Sequence, residues 1–209
     1  MTRPLISGRL VAGVAALVLA ATTAATPPAN GQTLRVDDRG GDVWEGVYDD
    51  DGRLVEWIKA GSPSNADILE TVVRHGERRL TVVTQLADLD KRDTWFRDRY
   101  DLRVAGLDET VHVDLSAYRR WKGELTVYTI EGYVSTDIGC ARAGHRIDYA
   151  RDRIRFWLPR GCLGAPNWVR VRSSTDAETM DTNRHYRDAF DSGRHAPPSY
   201  GARVRWGTD

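Results

Sequence analysis

Apolar and polar residues alternate along much of this chain with a period of two, the pattern of strands that bury one face. The alternation is clearest over Thr94–Val104 and Arg153–Leu158. The apolar residues that share a face in these runs are Phe96, Tyr100, Leu102 and Val104, and then Ile154, Phe156 and Leu158. A helix would instead place apolar residues every three or four positions. Both runs are therefore predicted to be strands.

Shorter runs rich in β-branched and aromatic residues predict further strands. They are Val43–Tyr48, Arg53–Lys59, Ile68–Arg74, Arg79–Leu86, Val111–Leu115, Leu125–Ile130 and Trp168–Val171, with a last strand indicated by Val204 and Trp206. Turn residues separate them, as at Asp49-Asp50-Asp51-Gly52. About nine strands and no amphipathic helix predict an all-β fold, an antiparallel β-sandwich, with a partly closed barrel as the alternative.

The N-terminal residues 1–25 have the features of a signal peptide. Arg3 and Arg9 accompany an apolar run at Leu10–Ala21, and small residues follow it. The run is shorter than the roughly 20 residues that a membrane-spanning helix needs. We therefore expect a secreted protein with no membrane span after signal cleavage.

A length of 209 residues is typical of one domain with a sizeable core. After the signal peptide, residues 26–36 are predicted to be a flexible leader and residues 37–172 the β-sandwich domain. Residues 173–209 are predicted to be a polar extension, a loop or a short helix, that ends in a possible last strand.

The two cysteines, Cys140 and Cys162, are predicted to form one disulfide, because an exported protein meets an oxidising environment. A free catalytic thiol is the alternative, but it would leave the second cysteine unexplained.

Charge argues against two classes of partner. The chain has 30 Lys and Arg residues and 30 Asp and Glu residues, so its formal net charge is zero. The two signs are interleaved along the sequence. We therefore expect no nucleic-acid partner and no attraction to an anionic membrane.

Sequence motifs assign no catalytic residue. The chain lacks G-x-S-x-G, H-E-x-x-H and any phosphate-binding or dinucleotide-binding glycine loop. His112 and Asp114 share one face of a predicted strand, and the many carboxylates leave a glycosidase-like pair open. A secreted hydrolase is therefore an alternative hypothesis.

A set of acidic residues at the start of the predicted domain suggests a structural calcium ion. Asp37, Asp38 and Asp42 precede the first strand, and Asp67 precedes Ile68–Arg74. Calcium takes six to eight oxygen ligands, often from loop carboxylates. The alternative is that these aspartates simply satisfy tight turns.

Tryptophan and arginine share one parity in two strands, which suggests a ligand-binding face. Trp157 lies with Arg155, and Trp168 lies with Arg170, opposite the apolar residues of each run. Aromatic faces stack on sugar rings, and guanidinium groups bind anions. The alternative is that each indole packs beneath arginine stems as ordinary sheet surface.

The motifs D-x-R-G-G-D-V-W and C-L-G-A-P-N-W-V-R-V resemble those of a set of secreted actinobacterial proteins, over about Asp37 to Arg172. That group carries no assigned activity, so the resemblance implies secretion but no catalytic residue. More distantly, the chain is similar to extracellular β-sandwich modules of the DOMON and family-nine carbohydrate-binding type, which implies a fold and no function.

The leading hypothesis is a secreted, non-catalytic binding or cell-envelope-associated module whose partner is a glycan or another envelope component. The hydrolase is the second hypothesis. A structural protein that meets other proteins along a sheet edge is the third.

Overall fold

The computed structural model describes residues 31–91, 94–118, 122–179, 184–189 and 199–206; the predicted signal peptide lies outside them. The strands of these ranges are β1 Thr33–Asp37, β2 Val43–Tyr48, β3 Leu54–Gly61, β4 Ile68–His75, β5 Arg79–Leu86, β6 Thr94–Val104, β7 Val111–Ala117, β8 Glu124–Glu131, β9 Val134–Asp137, β10 Gly144–Asp148, β11 Arg153–Pro159, β12 Trp168–Thr179, β13 Arg184–Ala189 and β14 Val204–Arg205. A 3-10 helix covers Arg160–Leu163. No helix within the described ranges has the length and apolar character needed to cross a membrane.

The strands form two antiparallel sheets. The smaller sheet has the order β1-β4-β5-β11-β10. The larger sheet has the order β3-β2-β13-β12-β6-β7-β8-β9, and β14 pairs with β12 beside this path. The predicted all-β fold, an antiparallel β-sandwich, is confirmed, with 14 strands in the described ranges where the sequence predicts about nine.

Apolar side chains from both sheets meet in one core. Leu80 of β5 and Phe156 of β11 come from the smaller sheet, and Phe96 and Tyr100 of β6 come from the larger one; all four are buried. The rings of Tyr100 and Phe156 contact each other across the two layers, with centroids 4.7 Å apart. The period-two pattern therefore identified the buried faces of both sheets.

A carboxyl group lies within this core. Asp98 has the same parity as Phe96 and Tyr100 and is 1% exposed. Its Oδ1 accepts a hydrogen bond from Thr175 Oγ1 at 2.9 Å, and its Oδ2 lies 3.5 Å from the Tyr100 hydroxyl, which also bonds Thr84 at 2.7 Å. Burial raises the pKa of Asp98 to about 7, although these hydrogen bonds lower it. The alternation alone gave no sign of this polar link between the sheets.

The chain after Arg172 differs from its prediction as a loop or short helix, which is wrong for the described residues. Strand β12 continues to Thr179, and β13 lies between β2 and β12 within the larger sheet. The inward residues of β12 beyond Arg172 are Ser173, Thr175 and Ala177, which are small or polar. They lack the large apolar side chains that mark a buried strand face in the sequence. Strand β14 matches the predicted last strand.

The predicted flexible leader overlaps an ordered strand. Strand β1 pairs with β4 over Thr33 to Asp37. Just before it, Gln32 accepts a hydrogen bond from the backbone of His75, and Gln32 also bonds the backbone of Arg205 in β14. The sandwich therefore begins before Asp37 and includes both ends of the described chain.

The predicted disulfide joins Cys140 and Cys162, whose Cα atoms are 5.5 Å apart. Cys140 precedes β10, and Cys162 lies in the 3-10 helix that follows β11. Because β10 is an edge strand, the crosslink ties the outermost hairpin of the smaller sheet at its open end. This prediction is confirmed.

Candidate functional site

The predicted calcium ligands are brought together only in part. Asp42 and Asp67 lie with Asp188 at the end of β13, each offering one carboxylate oxygen, with these atoms all within 4.8 Å of one another. Asp188 was not among the predicted ligands, because it falls in the segment predicted to be an extension. Asp37 is exposed on the solvent side of β1 and does not belong to the cluster. Asp38 lies close enough to Asp188 for its charge to raise the pKa of Asp188.

Two of these carboxylates already hold the backbone. Asp67 accepts hydrogen bonds from the amide of Gly41 and the hydroxyl of Ser62. Asp188 accepts from the amides of Ile68, at 2.7 Å, and Ala189, also at 2.7 Å. These contacts explain why both aspartates are buried, and they match the alternative that the acids satisfy turns.

No ion pair between described residues neutralises the charge of the cluster. No described Lys, Arg or His forms a salt bridge with Asp42, Asp67 or Asp188. Burial, with the charges of Asp38 and Asp42, raises the pKa of Asp188 to about 7. Burial and the charge of Asp67 also raise the pKa of Asp42, whose Oδ1 is buried without a hydrogen-bond partner. The three carboxylates suit either a bound proton or a cation that takes oxygen ligands. A calcium ion held here would need water molecules to complete its coordination shell.

The predicted tryptophan and arginine face is not formed as one surface. Trp157 and Arg155 belong to β11 of the smaller sheet, whereas Trp168 and Arg170 belong to β12 of the larger sheet. Because each pair points outward from its own sheet, the two pairs lie on opposite sides of the sandwich. They cannot bind one ligand together.

Each pair instead packs locally. The guanidinium group of Arg155 lies 5.8 Å from the Trp157 ring. Arg170 donates hydrogen bonds to the carbonyl oxygens of Gly201 and Tyr200, at 2.9 and 3.0 Å. Arg203 lies 4.5 Å from the Trp168 ring. These contacts favour the interpretation of ordinary sheet surface.

The indole of Trp157 rests on the backbone of β10. Gly144 pairs with Trp157, and a Cβ added at Gly144 would lie 2.4 Å from an indole carbon.

We expect Gly144→Ala to displace the indole and lower the free energy of unfolding by about 1–3 kcal/mol, the usual cost of overpacking. Urea denaturation measures it. Gly139→Ala is the matched control, because its Cβ meets nothing within 4 Å; equal effects of both variants would contradict the contact.

His112 and Asp114 share the outer face of β7, as expected, but they bind different partners. His112 Nδ1 lies 2.6 Å from Asp101 Oδ1, and the His112 ring stacks on Tyr128. Asp114 accepts a hydrogen bond from the Tyr128 hydroxyl at 3.1 Å and lies 3.4 Å from Arg99 Nε. The two residues therefore do not form a base and its orienting acid.

Arginines on the outer face of the larger sheet are paired with acids. Arg99 pairs with Asp114, Arg172 with Asp101 and Arg187 with Asp176. Opposite charges on neighbouring strands stabilise such a face. These guanidinium groups are therefore not free to bind an anion.

A cleft of about 470 Å³ opens on the same outer side, near the edge of the larger sheet. Its lining residues are Tyr48, Asp49, Asp50, Gly52, Glu178 and His185. They come from the end of β2, the β2–β3 turn, β12 and β13. Strand β2 and its turn therefore build the cleft with β12 and β13, which are distant from them in sequence.

The β2–β3 turn presents its aspartates because its own backbone is satisfied. Asp49 Oδ1 accepts hydrogen bonds from the amides of Asp51, at 3.1 Å, and Arg53, at 2.8 Å. Gly52 has a φ of +74°, which favours glycine at this bend. Asp50 at the tip is exposed and directed to the cleft.

A chain of polar contacts holds the wall of the cleft. His185 Nδ1 lies 3.0 Å from the Tyr48 hydroxyl, and His185 Nε2 lies 3.5 Å from Asp176 Oδ1. Because Nε2 faces a carboxylate, it carries the proton, and Nδ1 accepts the hydroxyl hydrogen. Burial raises the pKa of Asp176, but hydrogen bonds from His185 and Arg187 outweigh it and hold that pKa below its usual value. Asp176 therefore stays ionised and orients the imidazole.

Aromatic surface continues beside the cleft. The Trp57 ring lies 5.9 Å from the His185 ring and 5.5 Å from the Arg187 guanidinium. Tyr48 is 39% exposed. Sequence reasoning missed this site, because it treated Asp49–Gly52 only as a turn and placed Glu178 and His185 in an extension.

Comparison with protein-family models, with curated proteins and with solved structures yields no match to this chain. The class of protein is therefore defined by its fold alone: an antiparallel two-sheet β-sandwich with an internal disulfide.

Proposed function

We propose that this protein is a secreted, non-catalytic binding module that holds a neutral or amino-substituted glycan in the cleft between Tyr48 and Glu178. The observation that carries the proposal is the combination of exposed aromatic surface with carboxylates in one cleft. The volume of about 470 Å³ falls within the range of small-ligand sites.

Sugars match the donors and acceptors of this cleft. Aromatic rings provide flat apolar surface, on which the C–H face of a sugar packs. The carboxylate of Glu178 has no hydrogen-bond or ion-pair partner among the described residues, so it can accept bonds from sugar hydroxyl groups. Hydrogen bonds to ionised acceptors are about twice as strong as neutral ones.

The charge of the lining determines which sugars fit. Asp49, Asp50 and Glu178 are acidic, and the described lining contains no lysine or arginine. A uronate or sulfate group would bring a like charge close to them, which is unfavourable. A neutral sugar or an amino sugar brings none.

A binding role agrees with the state of His185. Both ring nitrogens are engaged, one by the Tyr48 hydroxyl and the other by Asp176. A general base needs a free nitrogen within reach of the proton that it removes. The imidazole here serves instead to fix the tyrosine and the strand beside it.

Export is supported by the disulfide, since such bonds persist mainly in oxidising compartments. The predicted signal peptide, residues 1–25, also implies export. Recovery of a shortened, oxidised chain from the culture medium, measured by intact mass, tests this part of the proposal separately from sugar binding.

Glu178→Gln tests the cleft. We expect a glycan array to select neutral or amino sugars, and we expect Glu178→Gln to weaken binding of the selected sugar about tenfold, because a charged acceptor is lost. Isothermal titration calorimetry measures the affinity.

Glu131→Gln is the matched control, because Glu131 is exposed at the end of β8 and does not line the cleft. Incubation of the selected glycan with the protein should produce no new reducing ends, because the proposed module does not hydrolyse it. Preference for uronates, or equal affinity of the Glu178→Gln and Glu131→Gln variants, would refute the assignment.

A further inference from the structure

A second cleft, of about 650 Å³, differs from the first in both position and charge. Its lining residues are Lys91, Lys122, Gly123, His145, Arg146, Ile147 and Tyr149. They come from the loop after β5, the residues just before β8, and β10 with the residue after it. Because β10 is the edge strand of the smaller sheet and β8 belongs to the larger one, this cleft opens where the two sheet layers separate.

The two walls are held together by close contacts. His145 Nε2 lies 3.0 Å from the Lys122 carbonyl oxygen, to which it donates. A Cβ added at Gly123 would lie 2.7 Å from Ile147 Cδ1, and Gly123 has a φ of +87°. Glycine is therefore needed where these walls meet, so the cleft has a defined shape.

Cations surround the opening. Lys91, Lys122 and Arg146 are exposed, and no described lining residue is a carboxylate. Arg146 Nη2 lies 3.8 Å from Asp148 Oδ2, which lies closer to Arg151, at 3.2 Å. Elsewhere in the chain acids and bases are interleaved, so this concentration of positive charge is unusual for the molecule.

The lysines themselves point to the same place. The chain has three lysines, Lys59, Lys91 and Lys122, among its 30 Lys and Arg residues, and the rest of these are arginine. Two of these three line this one cleft. Lysine provides a compact point charge on a flexible stem, which suits a carboxylate head whose position is not fixed by bidentate geometry.

The floor of the cleft is apolar. Ile147 and Tyr149 are partly buried and pack against the hydrophobic core. Ile147 faces inward on β10, where it pairs with the buried Ile154 of β11. A ligand that fits must therefore carry an apolar body as well as a negative charge.

We propose that this cleft binds a small amphipathic carboxylate, such as a medium-chain fatty acid, with its head among Lys91, Lys122 and Arg146 and its aliphatic body on Ile147 and Tyr149. The site is separate from the sugar cleft, which is acidic and lies between β2, β12 and β13. A bare inorganic anion would use the cations but would leave the apolar floor exposed to water.

A chain-length series tests the proposal. Hexanoate, octanoate and decanoate, each kept below its micelle concentration, are titrated calorimetrically into the oxidised protein at low salt. We expect one site, with affinity that rises by up to about fourfold for each added methylene group. Inorganic phosphate serves as the bare anion. Affinity that does not depend on chain length, phosphate binding as tight as decanoate binding, or no binding at all would overturn the proposal.

Lysine labelling locates the ligand. We expect decanoate to protect Lys91 and Lys122 from an amine-acetylating reagent, detected by mass spectrometry, and to leave Lys59 on β3 unprotected. Lys122→Gln should weaken decanoate binding about fivefold, whereas the matched variant Lys59→Gln should not change it. Equal protection of all three lysines, or equal effects of the two variants, would place the ligand elsewhere.

Discussion

Raising the pH from 5 to 8 should lower the free energy of unfolding by several kcal/mol. Asp98 and Asp188 each have a pKa of about 7 in the folded protein, raised from 3.8 mainly by burial. The folded state therefore keeps protons that the unfolded chain has released above about pH 4. Each carboxyl group should account for about 3 kcal/mol of the loss over this interval.

The sign follows from which state holds the proton. A raised carboxyl pKa contributes no penalty below the unfolded value of 3.8, and the penalty grows as pH rises from there to the folded value of about 7, above which it is complete. His75 acts in the opposite direction below pH 6.5, because burial lowers its pKa and its neutral form is favoured in the fold. Urea denaturation at pH 5, 6.5 and 8 measures the net dependence.

Asparagine variants separate the two carboxyl groups. Asp98→Asn and Asp188→Asn should each remove their own share of the pH dependence, because an amide does not titrate. Asp108→Asn is the control at an exposed position. A free energy of unfolding that rises between pH 5 and 8 would contradict the raised pKa values of Asp98 and Asp188. A pH dependence that all three variants change equally would also contradict them.

Calcium distinguishes the two interpretations of the Asp42, Asp67 and Asp188 cluster. If the cluster holds the calcium ion predicted from the sequence, millimolar calcium should abolish the part of the pH dependence that Asp188→Asn removes, and leave the Asp98 part. If the aspartates act only as acceptors for backbone amides, calcium should change neither part.

Replacing both cysteines by serine should lower the free energy of unfolding by about 3 kcal/mol. The crosslink joins positions 22 residues apart, and its loss gives the unfolded chain the corresponding loop entropy. The folded hairpin should persist, because β10 and β11 stay paired along five residue pairs and β11 pairs with β5.

Urea denaturation with and without reductant checks the disulfide. Reductant should lower the free energy of unfolding of the wild type to that of the double serine variant. It should not change the free energy of unfolding of the variant. Hydrogen exchange should rise first in β10, since it is the edge strand that the disulfide ties down. A loss well below 1 kcal/mol would mean that the hairpin is equally constrained without the crosslink.

Local pattern was sufficient for most of the strands. The predicted bounds of Val43–Tyr48, Arg79–Leu86 and Thr94–Val104 coincide with β2, β5 and β6. In these segments large apolar residues occupy one face and turn residues follow at once, so a few neighbouring positions contain the information. The disulfide was equally predictable, because only two cysteines exist.

The site residues were harder to predict. Asp98 has the parity of a core residue, but a carboxyl group in the core depends on partners such as Thr175, which is 77 residues away. Asp188 and His185 belong to β13, whose short polar sequence becomes a strand only because β2 and β12 supply hydrogen bonds on both sides. No local pattern contains those partners.

The sequence by itself determined the fold class, the buried face of the main strands and the disulfide, since a period of two and a pair of cysteines are properties of the chain alone. Only the tertiary structure decided which sheet each strand joins. Trp157 and Trp168 have the same outward parity, yet the pairing of β11 with β5 and of β12 with β6 places them on opposite sides. Both clefts depend on that pairing, because their walls come from strands that meet through hydrogen bonds between distant parts of the chain.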